Sequence, residues 1–326
     1  MADVLGKDIQ QGAPATRVAL SRVGVTGLKR ILRLRAPDGE AADDTLFFAE
    51  MDLFAHLDAR QAGVHMSRFI ENIEDAAAEL ATAPSPDIET LAERMAAAIA
   101  RTQGAARAEA RIRAQYPMAK RTPVSDLKVE DLYTFIGIAV SNGTRTRRAV
   151  GVEVSGLTVC PCAREMVSEH ARGLLADAGY TAAQAAEIVS LLPLASHNQR
   201  GLGTLIVGTD RCVRAEDLAA VVENAMSSEI YELLKRPDEL HVVRKGHMRP
   251  RFVEDVVREI IRGVVERMPT LPDDTFLLAR QENFESIHTH NAYAERSGLL
   301  GDMRAEIADR ATTSPHPTSL EAWLEM

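Results

Sequence analysis

The chain has few thiols, few aromatics and no long apolar run. Of 326 residues only three are cysteine and one is tryptophan, and aromatic side chains make up 4%. A small, odd number of cysteines argues against a disulfide framework, and Cys160 and Cys162 flank a single proline at a spacing that would bridge only with strain. No stretch approaches the roughly 18 apolar residues of a membrane helix, and MADVLGKDIQQGAPATR at the start lacks the apolar centre of a signal peptide. A cytoplasmic protein with reduced thiols is expected, with no membrane partner. Lys and Arg never cluster into a block, and 38 basic against 47 acidic residues leave a net charge of -9. That balance excludes a duplex-binding surface and any nucleic-acid partner of that kind, so an anionic ligand has to be held by local arginines. What remains is ordinary for a globular chain, 46% hydrophobic and 26% charged, with enough length for one or two domains.

Periodicity along the first half predicts strands over 18–36 and 45–57, separated by the turn signal Pro37-Asp38-Gly39. A helix capped by Ser67 follows, and after the breaker APSPD a second helix is predicted from Ile88 to Ala114. Strands over 131–142 and 146–159 flank a short turn containing Asn142-Gly143. The second half reads as helices over 165–178 and 182–191, a strand over 201–209, helices over 216–235 and 252–268 joined by RPDELHVVRKGHMRP, and a last strand over 275–281. Strands segregated from helix pairs indicate an α+β chain with an antiparallel sheet. The Ser-, Thr- and Pro-rich end, ATTSPHPTSLEAWLEM, is expected to pack poorly or to reach a neighbour.

Polar groups suited to a metal gather in the second half, where seven of the nine histidines lie beyond residue 169. Cys160 and Cys162, His197 in ASHNQRG, Glu239 in KRPDELH, and His288 with His290 in NFESIHTHNAY supply thiolate, imidazole and carboxylate. These donors suit zinc or a similar first-row divalent ion, and an incomplete set leaves a position for water. Taken singly, each has a plainer explanation: a buried apolar cysteine, a histidine in a turn, or Glu254 as an ordinary acid in the first turn of the helix after Pro250. His288 and His290 share a face only on a strand. Arg68 and Arg200 read as solvated surface or as phosphate-binding groups.

Taken in order, SRVGVTGLKR, HMSRFIE, GLTVCPCAREM, SHNQRG, LLKRPDE, PRFVEDVVR and NFESIHTHNAYA resemble the type IB GTP cyclohydrolases over about residues 18–300. The resemblance implies the tunnelling fold, with two units per chain, each an antiparallel four-stranded sheet with a helix pair on one face. It sets expected bounds of 1–14 for a flexible N-terminus, 15–158 and 159–300 for the units, and 301–326 for a tail. It also implies homotetramers with active sites between subunits. The family hydrolyses GTP at C8 of guanine, releases formate and rearranges the ribose to 7,8-dihydroneopterin triphosphate, the first step of tetrahydrofolate synthesis. By motif matching, Cys160, His197, Glu239 and His288 are the expected ligands of a divalent metal, zinc, manganese or iron. Glu254 is the expected guanine anchor, His290 and Cys162 the proton-transfer groups, and Arg68 and Arg200 the phosphate contacts, with Arg244, Lys245 and Arg249 as further candidates. The 34 residues between Cys162 and His197 resemble the archaeal branch, whose product is a 2′,3′-cyclic phosphate. Rival readings within the same fold are a nitrile reductase and a non-catalytic purine-binding protein.

Overall fold

The computed structural model describes residues 10, 12–34, 45–82, 87–310 and 317–326. The N-terminal stretch expected to be flexible lies largely outside them. The first half runs β1 (Leu20–Leu34), β2 (Thr45–Leu57), α1 (Met66–Thr82), α2 (Ile88–Gln103), β3 (Ala108–Arg121) and β4 (Lys128–Ser141). This is the strand-strand-helix-helix-strand-strand order of a tunnelling-fold unit. After the turn at 142–145 comes β5 (Thr146–Val159), then α3 (Pro161–Asp177) and α4 (Ala182–Leu191), β6 (Asn198–Gly208), α5 (Ala215–Ala225) and the short β7 (Ser228–Glu229). The chain finishes with α6 (Arg236–Met248), α7 (Val253–Arg267), β8 (Phe276–Asn283), β9 (Ala292–Leu299), α8 (Leu300–Ile307) and α9 (Leu320–Glu325).

All pairings are antiparallel, and the strands form one sheet in the order β1-β2-β3-β4-β5-β6-β8-β9, with β7 attached to β5. Hydrogen bonding crosses from β4 to β5 and on to β6 without a gap, so the boundary expected at 158 and 159 falls at the last residues of a strand paired on both sides. Alternate residues of each strand face opposite sides. One side, carrying Ala110, Ile112, Val152, Val154, Leu205 and Ala279, forms the main core with α2, α5 and α7. On the other side Ile136, Ile138, Ile206, Phe276 and Leu278 meet Leu320, Trp323 and Leu324 of α9.

Several expectations from the sequence need correction. The helix predicted through Ala114 ends at Gln103, where Gly104 takes φ 62° as a left-handed cap and α2 stops. Residues 108–121 are a strand whose small inward side chains, Ala108, Ala110 and Ala114, look helical by propensity but are fixed by pairing with β2 and β4. The helix predicted over 216–235 ends at Ala225, and the segment read as its connector folds into α6. β9 went unread because its side chains alternate between half-buried and exposed and so carry little apolar signal. The end of the chain packs instead of trailing. Leu300 and Met303 of α8 join the main core, and Trp323 is 4% exposed against Phe276. Among the described residues no helix is long and apolar enough to cross a membrane.

Candidate active site

The two motifs that carry the most chemistry meet because the β5–β6 ladder runs one step past its last strand pair. Val159 pairs with Asn198, and beyond it the Cys160 amide donates to the His197 carbonyl at 3.1 Å. The Ser196 hydroxyl donates to the Cys160 carbonyl at 2.6 Å, closing the junction from the other side. Cys160 is also the residue at which α3 begins, with Pro161 at the first helical position, where its missing N–H goes unused. The residues between Cys162 and His197 therefore loop out as the α3–α4 hairpin and return to their starting point. Cys160 is partly buried and Cys162 exposed, and both are free thiols.

His197 is held by oxygens on one side of its ring. Its Nδ1 lies 3.1 Å from Gln199 Oε1 and 3.6 Å from Glu285 Oε2, while Gln199 Nε2 donates to Glu285 Oε1 at 3.4 Å. The Gln199 Oε1 acceptor, with the Glu285 carboxylate behind it, favours the proton of the neutral ring on Nδ1 and leaves Nε2 as a lone pair, the arrangement that prepares an imidazole to bind a cation. Glu285 Oε2 is buried without a hydrogen-bond donor. His288 stands edge-on to His197 with ring centroids 6.4 Å apart, and His290 stacks on His288 at 5.2 Å. Both belong to the loop between β8 and β9, so they come together by loop geometry, not on a strand face. That loop is pinned where the Phe284 amide donates to the Arg200 carbonyl at 2.9 Å.

α6 and α7 approach the same end of the sheet. A Cβ on Gly246 would lie 2.9 Å from Leu157, so glycine is what lets α6 lie against β5. His247 Nδ1 faces the Leu194 carbonyl at 3.2 Å. Glu239, eight residues earlier, lies about 12 Å away along the helix axis and is exposed. Its neighbour Asp238 is fully buried and accepts from the amides of Val124, Ser125 and Lys235 and from the Ser125 hydroxyl, locking the start of α6 to the β3–β4 turn. Burial alone would raise the Asp238 pKa, but these donors hold it well below the usual carboxylate range. Glu254 is exposed in the first turn of α7, three residues past Arg251, whose amide donates to the Val159 carbonyl at 3.0 Å. That bond brings the start of α7 to the end of β5, and among the described residues the Glu254 carboxylate has no hydrogen bond or ion pair.

The expected phosphate contacts are scattered. Arg68 donates to the Thr102 carbonyl at 2.9 Å, beside the end of α2. That helix end leads into Ala108, which pairs with Ser141 and so lies level with the Thr146 end of β5, roughly 40 Å along the strands from Cys160. Lys245 is paired with Glu229 at 2.6 Å, and Arg249 donates to the Asn224 carbonyl. Among the described residues the Arg200 and Arg244 guanidinium groups have no such partner. Arg200 borders a cavity of about 480 Å³ where β4 and β5 diverge, lined by Lys120, Tyr133, Ser155, Glu223 and Tyr231. Lys120 lies 2.6 Å from Glu223, 3.2 Å from Asp131 and 4.4 Å above the Tyr231 ring.

One chain thus brings together Cys160, His197, His288 and His290, places Cys162, Glu254 and Arg200 nearby, and keeps Glu239 and Arg68 apart from them. Among the described residues no three His, Cys, Asp or Glu side chains converge tightly enough to hold a metal ion. The donor types still suit one: a cysteine and a histidine stand on backbone-bonded residues, and the carboxylate next to the imidazole has a buried oxygen that lacks a donor. Sequence reading missed Glu285 and Gln199, although both lie inside motifs already singled out. Lys120 gave no signal because its strand reads as the end of a helix and a loop, and Glu223 because it is one acid within a predicted helix.

The element order and the antiparallel sheet are those of the α+β tunnelling-fold class, and the candidate groups gather at the Cys160 end of the sheet. The chain belongs to the type I GTP cyclohydrolase folE2 family, whose profile matches residues 7–294. It is 38% identical to a GTP cyclohydrolase MptA of Methanothermobacter thermautotrophicus over 93% of this chain and 96% of that protein. It is 36% identical to GTP cyclohydrolase MptA 1 of Methanocella arvoryzae over 92% and 96%. In shape it is similar to a uricase from Arthrobacter globiformis, with a TM-score of 0.48 and 9% identity over 86% of this chain and 95% of that one.

Proposed function

We propose that this GTP cyclohydrolase opens the imidazole ring of GTP at C8, releases formate and closes the rearranged ribose into a dihydroneopterin, with Cys160 and His197 holding a divalent metal. The observation that carries this reading is the Cys160–His197 junction, which sets a thiol beside an imidazole whose Nδ1 is already occupied by acceptors. When bound, such an ion supplies the Lewis acidity that makes water a nucleophile near neutral pH, and zinc, manganese and iron all suit these donors. His288 is the next donor within the chain. Glu239 is a ligand only where a second copy or a shift of α6 supplies it, in keeping with sites shared between subunits of a homotetramer. Glu254 anchors guanine by accepting from its N1–H and 2-amino group, a two-point contact that suits a carboxylate. His290 and Cys162 move protons at the opening ring, and Arg200 holds phosphate.

The product is 7,8-dihydroneopterin triphosphate in the first reading. A specific observation favours a second, the 2′,3′-cyclic phosphate: the spacer between Cys162 and His197 is an ordered helical hairpin at the mouth of the site, and the MptA relatives align over nearly their whole length. Conversion of a triphosphate to a cyclic monophosphate sheds two phosphorus atoms as pyrophosphate. Incubation of the metal-loaded enzyme with GTP, with formate, pyrophosphate and product mass measured together, separates the two. Formate without pyrophosphate supports the triphosphate, equimolar pyrophosphate supports the cyclic phosphate, and absence of formate rejects ring opening. Glu254→Ala should lower kcat/KM by roughly two orders of magnitude with metal content intact, since two charge-assisted hydrogen bonds are lost. Cys160→Ala should lose metal and activity together, and full retention of both would reject it as a ligand.

A further inference from the structure

At the Thr146 end of the sheet, far from the cysteines, a cavity of about 360 Å³ lies between the start of β5, the end of β6 and α9. Arg145, Arg147 and Arg211 contribute three guanidinium groups to its wall, against two carboxylates from Asp210 and Asp274. Among the described residues none of these three lies within 4 Å of an acid, unlike Arg251, Arg280, Arg296 and Arg304. Arg147 donates through Nη1 to the Trp323 carbonyl at 3.1 Å and lies 4.5 Å over the indole ring, yet its Nε is buried with no acceptor. Thr275, 1% exposed in the same wall, has a hydroxyl that is also without a partner. Thr209 Oγ1 accepts from the Arg211 amide, which leaves its own proton free to donate.

Among the described residues, Arg147 and Thr275 thus line one cavity and each carries a buried donor without an acceptor. A buried donor left unmade is costly, and a cationic one more so. Burial pushes the Arg147 pKa down and the charge of Arg145 adds to this, with Asp210 and Asp274 opposing. A bound anion would relieve both penalties. Three cations against two anions leave one net positive charge, which fits a compact oxyanion held by directed hydrogen bonds better than a triphosphate.

We propose that the pocket formed by Arg145, Arg147, Arg211, Thr209 and Thr275 binds a small tetrahedral oxyanion of the phosphate class, separately from the GTP site. The occupant ties β5 and β6 to α9, so it also holds the end of the chain on the sheet.

The chain's one tryptophan, Trp323, lies in the wall of this pocket, so its fluorescence reports on the site directly. The experiment titrates inorganic phosphate into the full-length protein at constant ionic strength set with chloride, with methyl phosphate as a parallel arm. A saturable change in Trp323 emission with either probe upholds the proposal, and the ratio of midpoints tells free phosphate from the phosphate end of a larger metabolite. Because Arg147 supports Trp323 and its loss could unfold α9, the variants are Arg211→Ala, at an exposed position, and the nearly isosteric Thr275→Val. Each should weaken binding about tenfold or more through the loss of a donor to a charged ligand. Turnover of GTP by Arg211→Ala should be unchanged. The proposal is overturned by the absence of a saturable response in the wild-type protein, by equal midpoints in the variants, or by a parallel fall in kcat/KM, which would make the pocket part of the GTP site.

Discussion

His197 has two oxygen neighbours on Nδ1 before any ligand arrives, and Glu285 is the charged one. A glutamine there would keep the shape but remove the charge that fixes the ring and its proton. Glu285→Gln is expected to leave the circular dichroism spectrum unchanged while lowering metal affinity about 10- to 100-fold, the usual range for a partner behind a metal-binding histidine. A dialysis titration with zinc and with manganese checks this. Glu89 supplies a separate pH signature. It opens α2 against β4, where a Cβ on Gly137 would lie 2.5 Å from the Ile88 carbonyl oxygen. Burial, and then the charge of Asp87, push its carboxyl from 4.5 up to about 8. Between those values the folded chain keeps a proton that the unfolded chain has lost. This contribution is complete below pH 4.5 and is lost as pH rises through 8. Glu89→Gln should therefore raise Tm at pH 8 and leave it nearly unchanged at pH 4, as measured by scanning calorimetry. Cys160, His197, His288 and His290 were legible because rare residue types sit in tight motifs. Glu285 was not, since one acid among 47 Asp and Glu has no signature until its neighbours in space are known.

Among the elements, the hairpin of α3 and α4 is the most independent of the core. Of its side chains only Ser168, Ala185 and Val189 are buried, and its two ends are joined by the hydrogen bonds of Cys160 with His197 and Ser196. Replacing residues 165–194 by a short Gly/Ser linker should leave Tm within a few degrees of the parent, because surface changes of this kind move stability little. Thermal melts and bound-metal analysis test this, and a change in product mass in the same variant would assign the hairpin to product choice. Helix pairs and most strands could be read from periodicity. The α2–β3 junction could not, because alanine favours a helix locally while the long-range ladder with β2 and β4 decides the outcome. α6 was hidden for the opposite reason: most of its residues are polar and exposed, and it is held by the buried Asp238 clamp instead of an apolar stripe.

On the scale of the whole molecule, the position of Arg68 acquires a meaning. Arg68 bonds the end of α2, level with the Thr146 end of β5, and Cys160 follows the other end about 40 Å along the strands, so no single chain can use both in one site. If the site is shared, co-expressing Arg68→Ala with Cys160→Ala chains should restore about a quarter of wild-type activity by random pairing of intact halves, although neither variant is active alone. Absence of recovery in a GTP assay of the mixture would confine Arg68 to its bond with Thr102. The resemblance supplied the two-unit plan, but the seating of α9 on the second face of the sheet was not legible. Its apolar residues are three letters in a Ser-, Thr- and Pro-rich end, and only the apolar sheet face of Ile136, Ile206 and Leu278, which α9 covers, explains their burial.

β1 and β9 stand at the two ends of the strand order, and among the described residues neither has a partner on its outer side. A long unpaired edge is a template for another strand, and in the proposed homotetramer a second copy of the chain would satisfy it. Dilution then acts as a denaturant: the thermal midpoint should climb as protein concentration rises and level off once assembly is complete.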